Sequence, residues 1–217
     1  MLFRCFHHNC LKIGSSDWPR PPFAHNKLIA VLKPSTLYLM TPARNWAIGW
    51  LTHENLHPAI RIELAYMYNV GDWIEPAFRA LLPLKVTSLT VEDTCRIGIR
   101  TFAALTKTKE VLQDLCLKVA FSATYLYCLA AECDYPTHCR SNWVSWYWMK
   151  VSAKVLNPTQ PLSLTDVPKV VARCDVLCKD CHNLTVMKVN EYTVLGEEDQ
   201  IIQNTITRLL NIQKSTA

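Results

Sequence analysis

Glycine is scarce, with five in 217 residues, and each stands alone. No G-x-G-x-x-G or G-x-x-x-x-G-K pattern can be assembled, so the backbone cradle that nucleotide-driven enzymes wrap around phosphates is excluded. Runs of one charge sign are missing too. The 23 basic and 18 acidic residues leave a net +5 and a pI near 8.7, and the basic ones are scattered instead of forming a stripe that could track phosphates. No nucleic acid is expected as a partner. Long apolar runs are also lacking. The opening Met1-Leu-Phe-Arg-Cys-Phe-His-His-Asn-Cys10 has no secretory apolar stretch, because His7, His8 and Asn9 interrupt it. The most membrane-like segment, residues 115–131, carries Lys118 and sits at the short limit for a span, so it predicts a buried helix and no membrane span. The expected location is intracellular, cytoplasmic or nuclear.

What is present in quantity is apolar surface and cysteine. Half the residues are hydrophobic and 19% are charged, a composition that folds. The length allows one domain or two small ones. Residues 1–25 show no periodicity and carry Trp18-Pro-Arg-Pro-Pro-Phe23, which predicts a poorly ordered tail. From residue 26 an apolar series interrupted at Pro34 predicts a short helix and a turn into another. Thr41-Pro42 and His57-Pro58 each start a helix, the second with Ile60, Leu64, Ala65 and Tyr68 on one face until Asn69-Val-Gly71 stops it. Asp72-Trp-Ile-Glu75 reads as a capping box, and Thr90-Val-Glu-Asp93 opens the next helix. Between Thr101 and Glu132 no proline or glycine intervenes, which predicts one long helix. Residues 141–156 form an aromatic helix ended by Asn157-Pro158, residues 167–172 a short one, and residues 197–213 an amphipathic one with acids in its first turn.

The predicted fold class is therefore all-α: an array of short helices around one long central helix, with a small Cys/His-rich corner and a C-terminal amphipathic helix. It divides into a tail (1–25), a helical array (26–132), an aromatic and Cys/His-rich segment (133–195) and a final helix (196–217).

The stretch His57-Pro-Ala-Ile-Arg-Ile-Glu-Leu-Ala-Tyr-Met-Tyr-Asn-Val-Gly-Asp-Trp-Ile-Glu-Pro-Ala-Phe-Arg-Ala-Leu-Leu82, with Leu89-Thr90, Glu92 and Gly98 after it, resembles the helical region that follows the BTB/POZ fold in BTB-domain proteins of mushroom-forming fungi. Cys133, His138, Cys139, Trp143, Trp146, Leu156-Asn-Pro158 and Cys178-Lys-Asp-Cys181 look like the rest of that pattern, which spans residues 27–185. The strand-containing BTB core that normally precedes this region is absent, so BTB-type dimerisation is not carried over. The resemblance implies protein–protein interaction with a partner it does not identify.

Ten cysteines in an intracellular chain predict metal ligands or core fillers, because reducing compartments keep thiols free. Cys133-x4-His138-Cys139 and Cys174-x3-Cys178-x2-Cys181-His182 bring seven donors together in two bursts. Zinc takes four such donors tetrahedrally, and a two-residue gap lets both sulfurs of a pair face one ion. The preferred ligands are Cys133, Cys139, Cys178 and Cys181. His138 can replace Cys139, and Cys174 and His182 are close enough to join. A structural zinc is the expected cofactor.

Cys95, Cys116 and Cys128 are assigned to helix cores, and Cys5 and Cys10 with His7 and His8 to accidental clustering in the tail. Trp143 and Trp146 read as core residues, while Trp148 turns toward solvent as an interface anchor. Asn183-Leu-Thr185 matches a glycosylation acceptor, a coincidence in an intracellular chain. The chain is expected not to be an enzyme. Two alternatives use the same cluster. One is a thiol or metal-dependent enzyme with a reactive Cys181 or an open metal position; the other is a zinc-stabilised nucleic-acid binder.

Overall fold

The computed structural model describes residues 25–216. The expected tail, with Cys5, His7, His8 and Cys10, lies outside the described residues apart from His25, which begins the first helix. Among the described residues every regular element is helical and no strand is present. The fold is all-α. The chain divides into two compact units, one holding the described residues up to Ala103 and from Arg208 onward, the other Ala104–Thr207.

The first unit opens with α1 (His25–Leu37) and α2 (Thr41–His53), which pack along each other, followed by α3 (Pro58–Met67) and α4 (Ile74–Leu81), which do the same. The expected break at Pro34 does not occur. Pro34 sits in the last turn, where its missing N–H removes a single bond, and Leu28, Leu32 and Ser35 are buried around it. Burial of that face outweighs a proline cost of about 3 kcal/mol. Prolines at the first turns of α2 and α3 fall where a missing N–H is harmless, and Asn69 ends the α3 region in the left-handed conformation, φ 52°. The box expected at Asp72–Glu75 is not formed. Gly71–Trp73 makes a 3-10 turn instead, and Glu75 pairs with Arg79 at 3.0 Å. The core is closed by Trp73, whose indole N–H donates to Thr52 Oγ1 at 2.8 Å, and by Phe78, Ile62 and Leu51.

The long helix α5 spans Val91–Ala120. It begins where expected, at a reciprocal cap between Thr90 and Asp93: the Thr90 amide and hydroxyl donate to Asp93 Oδ2 at 3.1 and 2.8 Å, and the Asp93 amide returns a 3.0 Å bond to Thr90 Oγ1. Gly98, at φ 74° and ψ 157°, interrupts the helical backbone within it.

The expectation that this helix continues to residue 132 is corrected. It stops at Ala120, with α6 (Ala123–Leu126) a single turn beyond, and residues 127–130 have no regular structure. Those backbone groups have other partners. The Cys128 amide donates to Thr185 Oγ1 at 3.1 Å, and the Ala130 amide donates to Cys181 Sγ at 3.3 Å. Cys128 is thus not helical, and Cys95 is exposed rather than in the core.

The second unit continues with α7 (Pro136–Tyr147), a π-helical turn over Trp148–Ser152, α8 (Ala153–Val155), α9 (Val167–Val171), α10 (Lys179–Asn190) and the part of α11 (Glu197–Thr216) up to Thr207. Its core gathers Leu115, Val119, Leu126, Trp143, Trp146, Tyr147, Val151, Val167 and Val189. Trp143, Trp146 and Tyr147 fall on one helical face and are buried, whereas Trp148 is 49% exposed and packs against Phe121 at 6.0 Å between ring centroids. No helix among the described residues is long and apolar enough to cross a membrane.

Candidate metal centre

Two helix starts build the centre. Cys139 lies in the first turn of α7, with Cys133 just ahead of it in a turn closed by Cys133 N–H to Ala130 O at 3.2 Å. Cys178 is the residue before α10, in extended conformation at ψ 157°, and Cys181 lies in that helix's first turn. Each pair therefore straddles a helix N-terminus, where unpaired amides and the helix dipole favour negative sulfur.

The four sulfurs all lie within 4.8 Å of one another. Cys133 Sγ is 3.7 Å from Cys139 Sγ and 3.8 Å from Cys178 Sγ. Disulfides are excluded at those separations, since bonded sulfurs stand about 2.05 Å apart. A tetrahedral ion with metal–sulfur bonds of about 2.3 Å holds its sulfurs about 3.8 Å apart, which is the spacing seen here. The donor set fits zinc: four soft ligands, no fifth group among the gathered side chains, and room for an ion at their centre.

Hydrogen-bond donors surround the sulfurs. Cys181 Sγ, fully buried, receives the Ala130 amide and lies 3.8 Å from the Tyr127 hydroxyl, whose pKa is pushed well up by burial and by that sulfur. No regular side-chain bond caps α10, but the amide of Cys181 faces the Cys178 sulfur and holds its thiol below the usual range. Burial pushes the Cys133 thiol the other way, up to about 12, against an opposing bond from the Tyr135 amide. Metal binding displaces the thiol protons, the ordinary route to a metal thiolate.

The other candidates separate cleanly. Cys174 is buried in the apolar core with Val171 and Val189, where burial raises its pKa, and it is not among the gathered sulfurs. His138 is exposed on the first turn of α7 and does not join. His182 is half-buried on α10; its Nε2 meets no hydrogen-bond partner among the described residues, and it too stands outside the four-sulfur group.

Sequence reasoning missed α10 and the donors around the sulfurs. The helix had one usable signal, the absence of proline and glycine between residues 169 and 195. The amides of Ala130, Tyr135 and Cys181 had none, because backbone donors leave no mark in residue type. Compared with known proteins, the chain matches no family model, no curated protein and no solved structure.

Proposed function

We propose that this chain is a non-enzymatic protein-interaction module whose Cys/His-rich corner is tied by one structural zinc ion. The observation that carries this reading is the four-sulfur cluster at tetrahedral spacing. Four protein thiolates complete the coordination of zinc and leave no position for water or substrate, which favours a structural over a catalytic ion. The ion joins the loop after α6 and the start of α7 to the start of α10, elements otherwise linked by the bonds at Cys128 and Ala130. Its binding free energy is folding free energy for that corner.

The interaction half rests on the exposed aromatic pair Phe121 and Trp148 and on the order of residues at 57–82 that resembles the region following a BTB fold. Phe121 helps line an open groove of about 490 Å³ with Val111, Leu115, Leu117 and Ile201, among which stand the charged Asp114, Lys118 and Glu197. An aromatic anchor in a mostly apolar groove that also carries charged groups suits a docking face for a protein partner.

Elemental mass spectrometry of the purified, untagged chain, with thiol counting before and after chelation, tests the zinc. About one zinc per chain and about four thiols released on chelation support the reading. Absence of metal together with freely titrating thiols refutes it. A tetrathiolate site also accepts iron, and a visible charge-transfer band with iron in place of zinc would correct the identity of the ion.

A further inference from the structure

The four sulfurs are not equivalent. Cys139 and Cys181 are buried, Cys133 is half-buried, and Cys178 is exposed at the head of α10. Cys178, the most exposed of the four, has its sulfur 3.8 Å from Cys133 Sγ, so the ligand most open to a solvent-borne reagent has a second thiol beside it. We propose that Cys178 is a peroxide-reactive site and that its oxidation, resolved by Cys133, expels the zinc and loosens the corner. This rests on the structural-zinc reading above and adds a regulation to it.

The chemistry balances with hydrogen peroxide as the oxidant. The Cys178 thiolate attacks one peroxide oxygen, forming an S–O bond as the O–O bond breaks and hydroxide leaves. Cys178 is then a sulfenic acid. The Cys133 thiolate attacks that sulfur, forming the S–S bond and expelling a second hydroxide. Two electrons pass from the two thiolates to peroxide, and two protons from solvent convert both hydroxides to water. Zinc itself is redox-inert and undergoes no oxidation. Having lost two of its four ligands, it dissociates. Forming the bond closes the two sulfurs from 3.8 Å to about 2.05 Å.

The consequence follows from what the ion joins. Cys178 and Cys181 start α10, while Cys133 and Cys139 flank the start of α7. A Cys133–Cys178 disulfide still links the two segments, but Cys139 and Cys181 are left as a buried, unmetallated pair. The Ala130 and Tyr127 donors then face a Cys181 sulfur that no longer binds an ion. The corner is retained on a looser tether, and reduction in the presence of zinc restores it.

The test uses the full zinc-loaded chain and dilute hydrogen peroxide. It reads zinc release with a chromogenic chelator, and the products by intact mass and peptide mapping. The expected result is release of the zinc in step with the loss of two thiols, a mapped Cys133–Cys178 disulfide, and recovery of zinc binding after dithiothreitol and added zinc. Cys178→His retains a four-donor site without the exposed sulfur, and should hold zinc while slowing its peroxide release by about tenfold or more. Equal release rates in the wild type and Cys178→His overturn the switch, as do zinc retained through thiol loss or a mapped disulfide that omits Cys178. A purified chain that never contained zinc defeats the structural-zinc reading first, and the switch falls with it. Zinc present but indifferent to peroxide defeats only the switch. Should Cys178→His fail to bind zinc, the peptide map of the oxidised wild-type chain alone decides.

Discussion

The backbone amide of Ala130 donates to Cys181 Sγ at 3.3 Å, across 51 residues of sequence. That bond explains two features together. It removes residue 130 from the helix that its sequence would otherwise continue, and it supplies a thiolate with a donor that a core sulfur would not need. A fully buried sulfur with an amide and a hydroxyl directed at it has the supporting donors that orient a metal ligand.

Substituting Cys181 by alanine should therefore empty the site. Zinc content falls to near zero, and the thermal midpoint drops by on the order of 10 °C, as loss of a structural metal from a chain of this length implies. Cys174→Ala is the control, because that cysteine packs in the apolar core and lies outside the four-sulfur group. It should retain zinc and cost about 1–2 kcal/mol of packing. Zinc lost from both variants would make Cys174 a ligand and rewrite the site. His138→Ala, at an exposed position, should leave zinc content unchanged and shift stability by no more than about 0.5 kcal/mol.

Tyr147 offers a test of the second unit's core. Its hydroxyl donates to Val119 O at 2.8 Å and lies 3.2 Å from Ser122 Oγ, and burial pushes its pKa up to about 12. Val119 O also accepts from the Ser122 hydroxyl at 2.7 Å, so Tyr147→Phe leaves that carbonyl satisfied. Urea unfolding should show a loss of only about 1 kcal/mol. Trp143→Ala removes a fully buried indole together with its 2.6 Å bond to Ala123 O, and should cost about 3–5 kcal/mol.

Acid should act through Asp93. The Thr90 hydroxyl bond holds its carboxyl below the usual range, opposed by burial and aided by the Thr90 amide, His57 at 3.4 Å and Arg96. A carboxyl whose folded pKa is depressed contributes stability that is complete above its unfolded value of about 3.9, and loses it as the pH falls through the lower folded value. Unfolding free energy measured over that acid range should fall less steeply in Asp93→Asn than in the wild type. An unchanged slope would remove Asp93 from the acid response. Thr90→Ala should cost about 1 kcal/mol at neutral pH through the lost cap.

Gly98 should resist substitution even though open space surrounds the position a Cβ would occupy. Its φ of 74° with ψ of 157° lies in a region that L side chains avoid. Gly98→Ala should lose about 1–3 kcal/mol if the backbone is kept. Alternatively the helix straightens through residue 98, seen as raised helicity by circular dichroism. No change in either stability or helicity would show that the kink is absent in solution.

Much of this protein was legible from residue order alone. Helix starts at Pro42 and Pro58, the stop at Asn69, the cap at Thr90 and the buried face of Trp143, Trp146 and Tyr147 all rest on interactions within a few residues of each other. Periodicity and capping chemistry report such interactions directly. The all-α class follows from them. Cys178 and Cys181 could be paired from spacing, because a two-residue gap turns both sulfurs to one side wherever the chain carries them.

Tertiary structure decided the rest. Pro34 sits inside a helix because burial of Leu28 and Leu32 outweighs one missing bond, a comparison that local sequence cannot make. The helix expected through Glu132 stops at Ala120 because Thr185 and Cys181, more than fifty residues away, take the amides of Cys128 and Ala130. Seven cysteine and histidine donors lie in the two bursts, and spacing could prefer Cys133, Cys139, Cys178 and Cys181 without ruling out His138, Cys174 or His182. Only the packing of α7 and α10, with long-range donors already aimed at particular sulfurs, separates the four that meet from the three that do not.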